Sequence, residues 1–226
     1  MTRQAFDQEL QRLQDDVIAL GSMVGDALVY SVDVLKRRDF DASRAIIEQD
    51  REVNRRRFAI ENDVLTLIAT QQPMAGDMRM LAAILEIGTE LERMGDYAKG
   101  IARINLMIGE QPLIKPLIDL PIMADIARDM LDQALKAFMD GDDALARSIP
   151  RRDDEIDDLY QQVYHELLTF IIEDRSVIEQ SNLLMWVAHN LERTADRVIN
   201  LCERVVYMVT GELEELNSDS GVESVA

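Results

Sequence analysis

The segment LERMGD at residues 91–96 returns as LERTAD at residues 191–196, 100 positions later. A second pair flanks it: REVNRRRFAIENDVLTLI (51–68) matches DEIDDLYQQVYHELLTFI (154–171) in apolar pattern at a shift of 103. The matched segments keep the same order, which reads as a duplication. A period near 100 residues is too long for a solenoid unit, and long enough for a three-helix bundle with a core of its own. Between the copies lies GEQPLIKPLIDLP (109–121), whose three prolines break helical continuity and mark the seam.

Outward from this repeat, the 226 residues are 47% apolar with only 10 Gly and 5 Pro, the palette of packed helices. Every proline falls near a seam, and apolar residues recur between them at steps of three and four. The pattern predicts helices at about 3–37, 41–71, 77–108, 118–139, 142–173 and 176–210. The fold class expected is all-α: two tandem, pseudo-symmetric three-helix bundles. Residues 1–110 form the first, 111–121 the linker and 122–211 the second. Gly211 then reads as a stop before an acidic, flexible tail at 212–226.

Charge excludes several partners. The chain has 43 acidic and 24 basic side chains, a net charge of -19, which repels nucleic acid and anionic bilayers. Residues 111–226 carry most of it, with 24 acidic against 10 basic side chains. Cys202 is the only cysteine, so no intrachain disulfide can form. The opening MTRQAFDQELQRLQDD carries charges every few residues and has no apolar signal-like stretch. The longest uninterrupted apolar runs, at 80–85 and 167–172, fall far below the ~20 residues that span a bilayer. A cytoplasmic protein without membrane insertion is expected.

The chemistry concentrates in Glu92-x-x-x-Asp96 and Glu192-x-x-x-Asp196, where a spacing of four puts both carboxylates on one helix face. One helix earlier lie Asp50 and Asn54 in the first copy, and Asp153 and Asp157 in the second. Folded as antiparallel hairpins, Asp50 with Asp96 and Asn54 with Glu92 are both symmetric about Pro73. Asp153 with Asp196 and Asp157 with Glu192 are both symmetric about the turn-like EDRS at 173–176. Each hairpin therefore levels four oxygen-bearing side chains. Such a group repels itself unless protons or a hard cation intervene, and all-oxygen donors favour Mg, Mn, Ca or Fe over structural Zn. The bland alternative is solvated acids paired with Arg93, Arg193 and Arg197. Asp154 and Asp158 offer a competing register one residue along.

FDQEL at 6–10, QPMAGDMRML at 72–81, ELERMGDYAKGIARI at 90–104, RDDEIDDLY at 152–160 and LERTADRVINLCERVVYMVTGE at 191–212 together resemble the PhoU family of bacterial phosphate-uptake regulators. The resemblance runs nearly end to end. It implies two three-helix bundles and metal held at E(D)xxxD motifs, which here are Glu92, Asp96, Glu192 and Asp196. The ion it implies is iron, possible in multinuclear form, with Mn, Mg or Zn as alternatives. Asn54 departs from the acidic pattern and puts the first site in doubt. The implied function is non-enzymatic: negative regulation of phosphate uptake and of the starvation response. Its implied partners are the phosphate ABC transporter ATPase subunit, a phosphate-sensing histidine kinase and a second copy of the chain as a homodimer. A carboxylate-bridged metal enzyme and a metal-free helical scaffold are the alternatives.

Other residues weigh less. His189, three before Glu192, reads as a packing or surface residue, and neither it nor His165 completes the Glu-x-x-His pairs of a di-iron oxidase. Cys202 sits in an apolar context and reads as inert core. Arg51, Arg55, Arg56 and Arg57 form the one dense basic patch, and Gly95 and Gly100 suit close helix approach.

Overall fold

The computed structural model describes residues 3–216, and among these there is no strand. Six long helices are present: α1 (Arg3–Arg37), α2 (Phe40–Gln71), α3 (Ala75–Ile108), α4 (Asp119–Asp140), α6 (Asp153–Glu173) and α7 (Ile178–Thr210). A short α5 (Asp143–Ser148) precedes α6. Local chemistry sets the boundaries. Asp39 caps α2 by accepting from the Ala42 N–H at 2.9 Å, and Asp142 caps α5 in the same way through Leu145. Gly141 and Gly211 end α4 and α7 at φ of 62° and 81°, a backbone conformation that favours glycine.

One expected helix is split. The span 142–173 breaks into α5, a 3₁₀ turn at Ile149–Arg152 and α6. Pro150 sits in that turn, and a helix-interior proline loses a hydrogen bond and clashes with the preceding turn. The consequence reaches the site, because α6 now begins at Asp153 and Asp153 occupies its first turn. In the first repeat Asp50 lies inside the unbroken α2.

The helices α1, α2 and α3 form one bundle, and α4, α6 and α7 with α5 form the other. They also pack on each other, α3 along α7 and α1 along α4. The core is consequently shared. Leu81, Ile84, Ile87 and Leu91 of α3 belong to the same apolar cluster as Leu184, Val187, Leu191 and Val198 of α7. The separate core expected for each copy is replaced by one that crosses the repeat boundary. The helix α1 is apolar enough in an 18-residue window, at mean hydropathy 1.5, to match a membrane span by composition. Half of that window is buried inside the fold, where Val17, Leu20, Val24 and Leu28 join the shared core.

The linker starts and ends earlier than the expected 111–121, since α3 stops at Ile108 and α4 takes up from Asp119. It is also pinned. The Ile114 N–H donates to Gln180 Oε1 at 2.6 Å, and Gln180 Nε2 donates to the Pro112 carbonyl at 3.0 Å. The start of the expected flexible tail is tied as well: Leu216 N–H donates to Glu203 Oε1 at 3.0 Å, and Glu214 pairs with Arg147. Residues 217–226 of that tail lie outside the described residues.

Candidate metal centre

The hairpins bring Asp50 and Asp96 to one lysine in the first repeat and gather four carboxylates in the second. In the first, Asp50 projects from α2 toward α3, only 8% exposed. Lys99 Nζ donates to Asp50 Oδ2 at 2.7 Å and to Asp96 Oδ1 at 2.9 Å, so one ammonium joins the two helices. Asn54 Nδ2 adds a weaker bond to Asp50 Oδ2 at 3.3 Å, while Asp50 Oδ1 has no partner. Burial, followed by the charge of Asp96, pushes the Glu92 carboxyl above its ordinary range; Arg57 and Lys99 oppose this and Asp50 adds to it. Asp50, Glu92 and Asp96 thus share one field. Gly95 permits the close approach: a Cβ there would lie 3.2 Å from Val53 Cγ1 and 3.9 Å from Asp50 Oδ1.

The second repeat assembles Asp153, Asp157, Glu192 and Asp196. Asp153 is 7% exposed and its Oδ1 has no partner. Burial first, then the charges of Asp157, Asp196 and Glu192, pushes its carboxyl up to about 7. Asp157 and Glu192 are raised too, by burial and then by Asp196. Glu192 Oε2 lies 3.2 Å from His189 Nδ1 yet makes no hydrogen bond. Arg193 pairs with Asp196 at 3.2 Å on the rim. The position one repeat on from Lys99 is Ile199, so this cluster has no bridging ammonium. Against the competing register, Asp153 is buried while Asp154 is exposed, and Asp157 and Asp158 are both exposed, so burial separates only the first position of the two pairs.

Two unpartnered buried oxygens, Asp153 Oδ1 and Glu192 Oε2, on an all-carboxylate face fit a hard cation. Among the described residues, no group of three or more His, Cys, Asp or Glu side chains has closed to ion-holding spacing. The donors are level, and their oxygens stand apart.

Other singled-out residues fall elsewhere. The basic patch is neutralised along its own helix, with Arg55 and Arg56 on Glu52 at 2.6 and 2.9 Å, Arg57 on Glu61 at 2.8 Å and Arg51 near Glu48 at 4.0 Å. His165 bonds the Gln161 carbonyl and takes no part in either cluster. Cys202 is buried, and burial pushes its thiol up to about 12. Sequence reasoning passed over two features. Lys99 was visible as a lysine three residues beyond Asp96, on the same helix face. The second is a groove of about 230 Å³ lined by Tyr160, Asn182, Met185, Trp186 and His189, beside the second cluster. Trp186 is 59% exposed there and meets the His189 ring edge-on at 5.5 Å.

With this geometry in hand, the comparisons with known proteins are specific. The PhoU domain family matches the chain twice, at residues 17–104 and 120–205. The chain belongs to the PhoU family. The two PhoU matches coincide with the two bundles, so the repeat read from LERMGD and LERTAD is the family's own unit. A phosphate-specific transport system accessory protein PhoU homolog from Clostridium acetobutylicum is 33% identical over 221 residues, covering 96% of this chain and all of the relative. One from Aquifex aeolicus is 32% identical over 206 residues, covering 91% and 93%. The crystal structure of the phosphate transport system regulatory protein PhoU from Streptococcus pneumoniae superposes with a TM-score of 0.86 at 32% identity, over 93% of this chain and all of that one. PhoU from Pseudomonas aeruginosa gives 0.86 at 28% identity, over 92% of this chain and all of that one.

Proposed function

We propose that this PhoU-family protein is a cytoplasmic negative regulator of phosphate uptake and of the phosphate-starvation response. It acts as a metal-binding homodimeric adaptor between the phosphate ABC transporter ATPase subunit and a phosphate-sensing histidine kinase. The end-to-end match to relatives named as phosphate-transport accessory proteins carries the reading. An adaptor works by occupying surfaces, and the exposed Trp186 groove on an acidic bundle suits a partner that presents apolar side chains among basic ones.

The metal part of the proposal rests on the second bundle. Asp153, Asp157, Glu192 and Asp196 are the residues that would hold the ion, with iron expected from the family and manganese or magnesium compatible with the same oxygens. A bound divalent ion supplies positive charge where carboxylates otherwise repel, and so ties α6 to α7. The chain's own contribution is to hold Asp153 buried at the start of α6 and to keep Glu192 and Asp196 on one face of α7.

Deletion of the gene is expected to derepress phosphate-starvation genes at high phosphate, and tag-free wild-type protein to retain the transporter ATPase and the kinase from lysate. Failure to retain either, together with hydrolysis of a phosphate ester by purified protein with added manganese, replaces the regulator with the metal-enzyme reading.

A further inference from the structure

The two repeats present corresponding acidic faces that differ at two positions, Lys99 against Ile199 and Asn54 against Asp157. On the first, the Lys99 ammonium lies between Asp50 of α2 and Asp96 of α3, within hydrogen-bond distance of both. This is not a loose surface pair: the Lys99 side chain is 19% exposed and that of Asp50 8%. Two of its three N–H donors are committed across the helix pair, and the bond to Asp50 leads the influences that raise the Lys99 pKa. Asn54 contributes an amide donor to the same Asp50 oxygen. The second face carries four carboxylates, has Ile199 in place of Lys99 and Asp157 in place of Asn54, and leaves two buried oxygens, Asp153 Oδ1 and Glu192 Oε2, without a hydrogen bond, against Asp50 Oδ1 on the first. Its nearby cations are peripheral. Arg193 pairs with Asp196 and its charge also bears on Glu192, His189 approaches Glu192, and Arg197 turns away to Glu90 of α3.

We propose that Lys99 is a built-in counter-cation that fills the first acidic site, so that the second bundle alone takes up metal. The ammonium then does permanently for α2 and α3 what a divalent ion does reversibly for α6 and α7. A divalent ion entering the first site meets a like charge held by the chain itself, and must displace two charge-assisted hydrogen bonds to gain its ligands. Lysine suits this role because it is a compact point charge on a flexible stem, able to replace one small ion. Duplication followed by divergence at these positions, Lys99 above all, yields one fixed site and one exchangeable site in the same molecule. The inference rests on the metal reading of the second bundle, and the experiment separates the two.

The test is manganese content per chain after loading metal-free protein with Mn²⁺ and desalting, for wild type, Lys99→Met, the pair Glu192→Gln with Asp196→Asn, and the triple variant. Wild type is expected to lose its manganese in the pair variant. Lys99→Met is expected to gain, about twofold over wild type, and the triple variant to keep the gained share. Lys99→Gln with circular dichroism guards against a misfolded Met variant. Manganese retained by the pair variant overturns the proposal, because the first site then loads with Lys99 in place, while the metal reading survives. Manganese in Lys99→Met but none in wild type upholds the role of Lys99 and overturns the second-bundle site. No manganese in any of the four variants overturns both.

Discussion

Arg197 of α7 reaches Glu90 of α3 at 3.3 Å across the junction of the two bundles, with the two side chains 13% and 14% exposed. Asn200 reinforces the contact by donating to the same Glu90 oxygen at 3.2 Å. Because Arg197 directly follows Asp196, the joint between bundles is one residue from the second acidic cluster.

Glu90→Ala takes the carboxylate away from the Arg197 guanidinium, which keeps Tyr97 beside it and whose Nε already lacks a hydrogen-bond partner. The expected cost is about 2 kcal/mol, more than an exposed pair contributes, because a buried charge is left uncompensated. Urea unfolding of the variant beside wild type measures it. A loss of a few tenths of a kcal/mol would show that the junction is held by apolar packing alone.

Asp153→Asn removes one charge from a crowded face while keeping the side chain's shape. At pH 8, above the raised carboxyl pKa of about 7, and in the presence of chelator, the variant is expected to melt higher than wild type by about 2–4 °C, since like-charge repulsion falls. With added manganese the order reverses if wild type alone gains stability from the ion. Differential scanning calorimetry with and without metal reads both effects, and an unchanged melting temperature in chelator would contradict the repulsion.

For Cys202, the folded thiol is held up to about 12 by burial, with the charge of Glu203 next. An unfolded cysteine ionises near ~8.5. A folded pKa above the unfolded value means the native state keeps its proton while the unfolded state releases it. This contribution to stability is intact below about 8.5 and declines at up to about 1.4 kcal/mol per pH unit from there toward 12. Iodoacetamide at pH 8.5 should accordingly label the urea-unfolded chain quickly and the native protein hardly at all.

Trp186→Ala is expected to leave the melting temperature within about 1 °C, because the side chain is mostly exposed. Retention of at least one partner in the lysate pull-down should fall about tenfold, as expected for loss of an aromatic anchor. Full retention of both partners would remove the groove from the docking surface.

Much of this was legible from residue order. The repeated LER spacing placed α3 and α7, and the symmetry about Pro73 correctly levelled Asp50 with Asp96, because antiparallel hairpins pair by a constant sum of positions. Rotational phase was not legible. Whether Asp153 or Asp154 turns inward depends on where α6 begins, which the Pro150 turn sets by restarting the helix axis. The reach of Lys99 was equally hidden, since an i,i+3 lysine more often screens its own helix than bridges to the next. The shared core escaped notice because apolar stripes on α3 and α7 look the same whether they face their own bundle or the neighbouring one. The Arg51, Arg55, Arg56 and Arg57 patch stood out in sequence by density alone, which concealed the Glu48, Glu52 and Glu61 partners on its own helix.

The core that crosses from α3 to α7 makes the two repeats thermodynamically inseparable. A half cut at the linker would lay bare the apolar strip formed by Leu81, Ile84 and Leu91 and would seek another copy of itself to cover it. Strain or support introduced at either acidic face is therefore borne by both bundles, and an ion arriving between α6 and α7 can alter how tightly α1 and α2 are held in the other one.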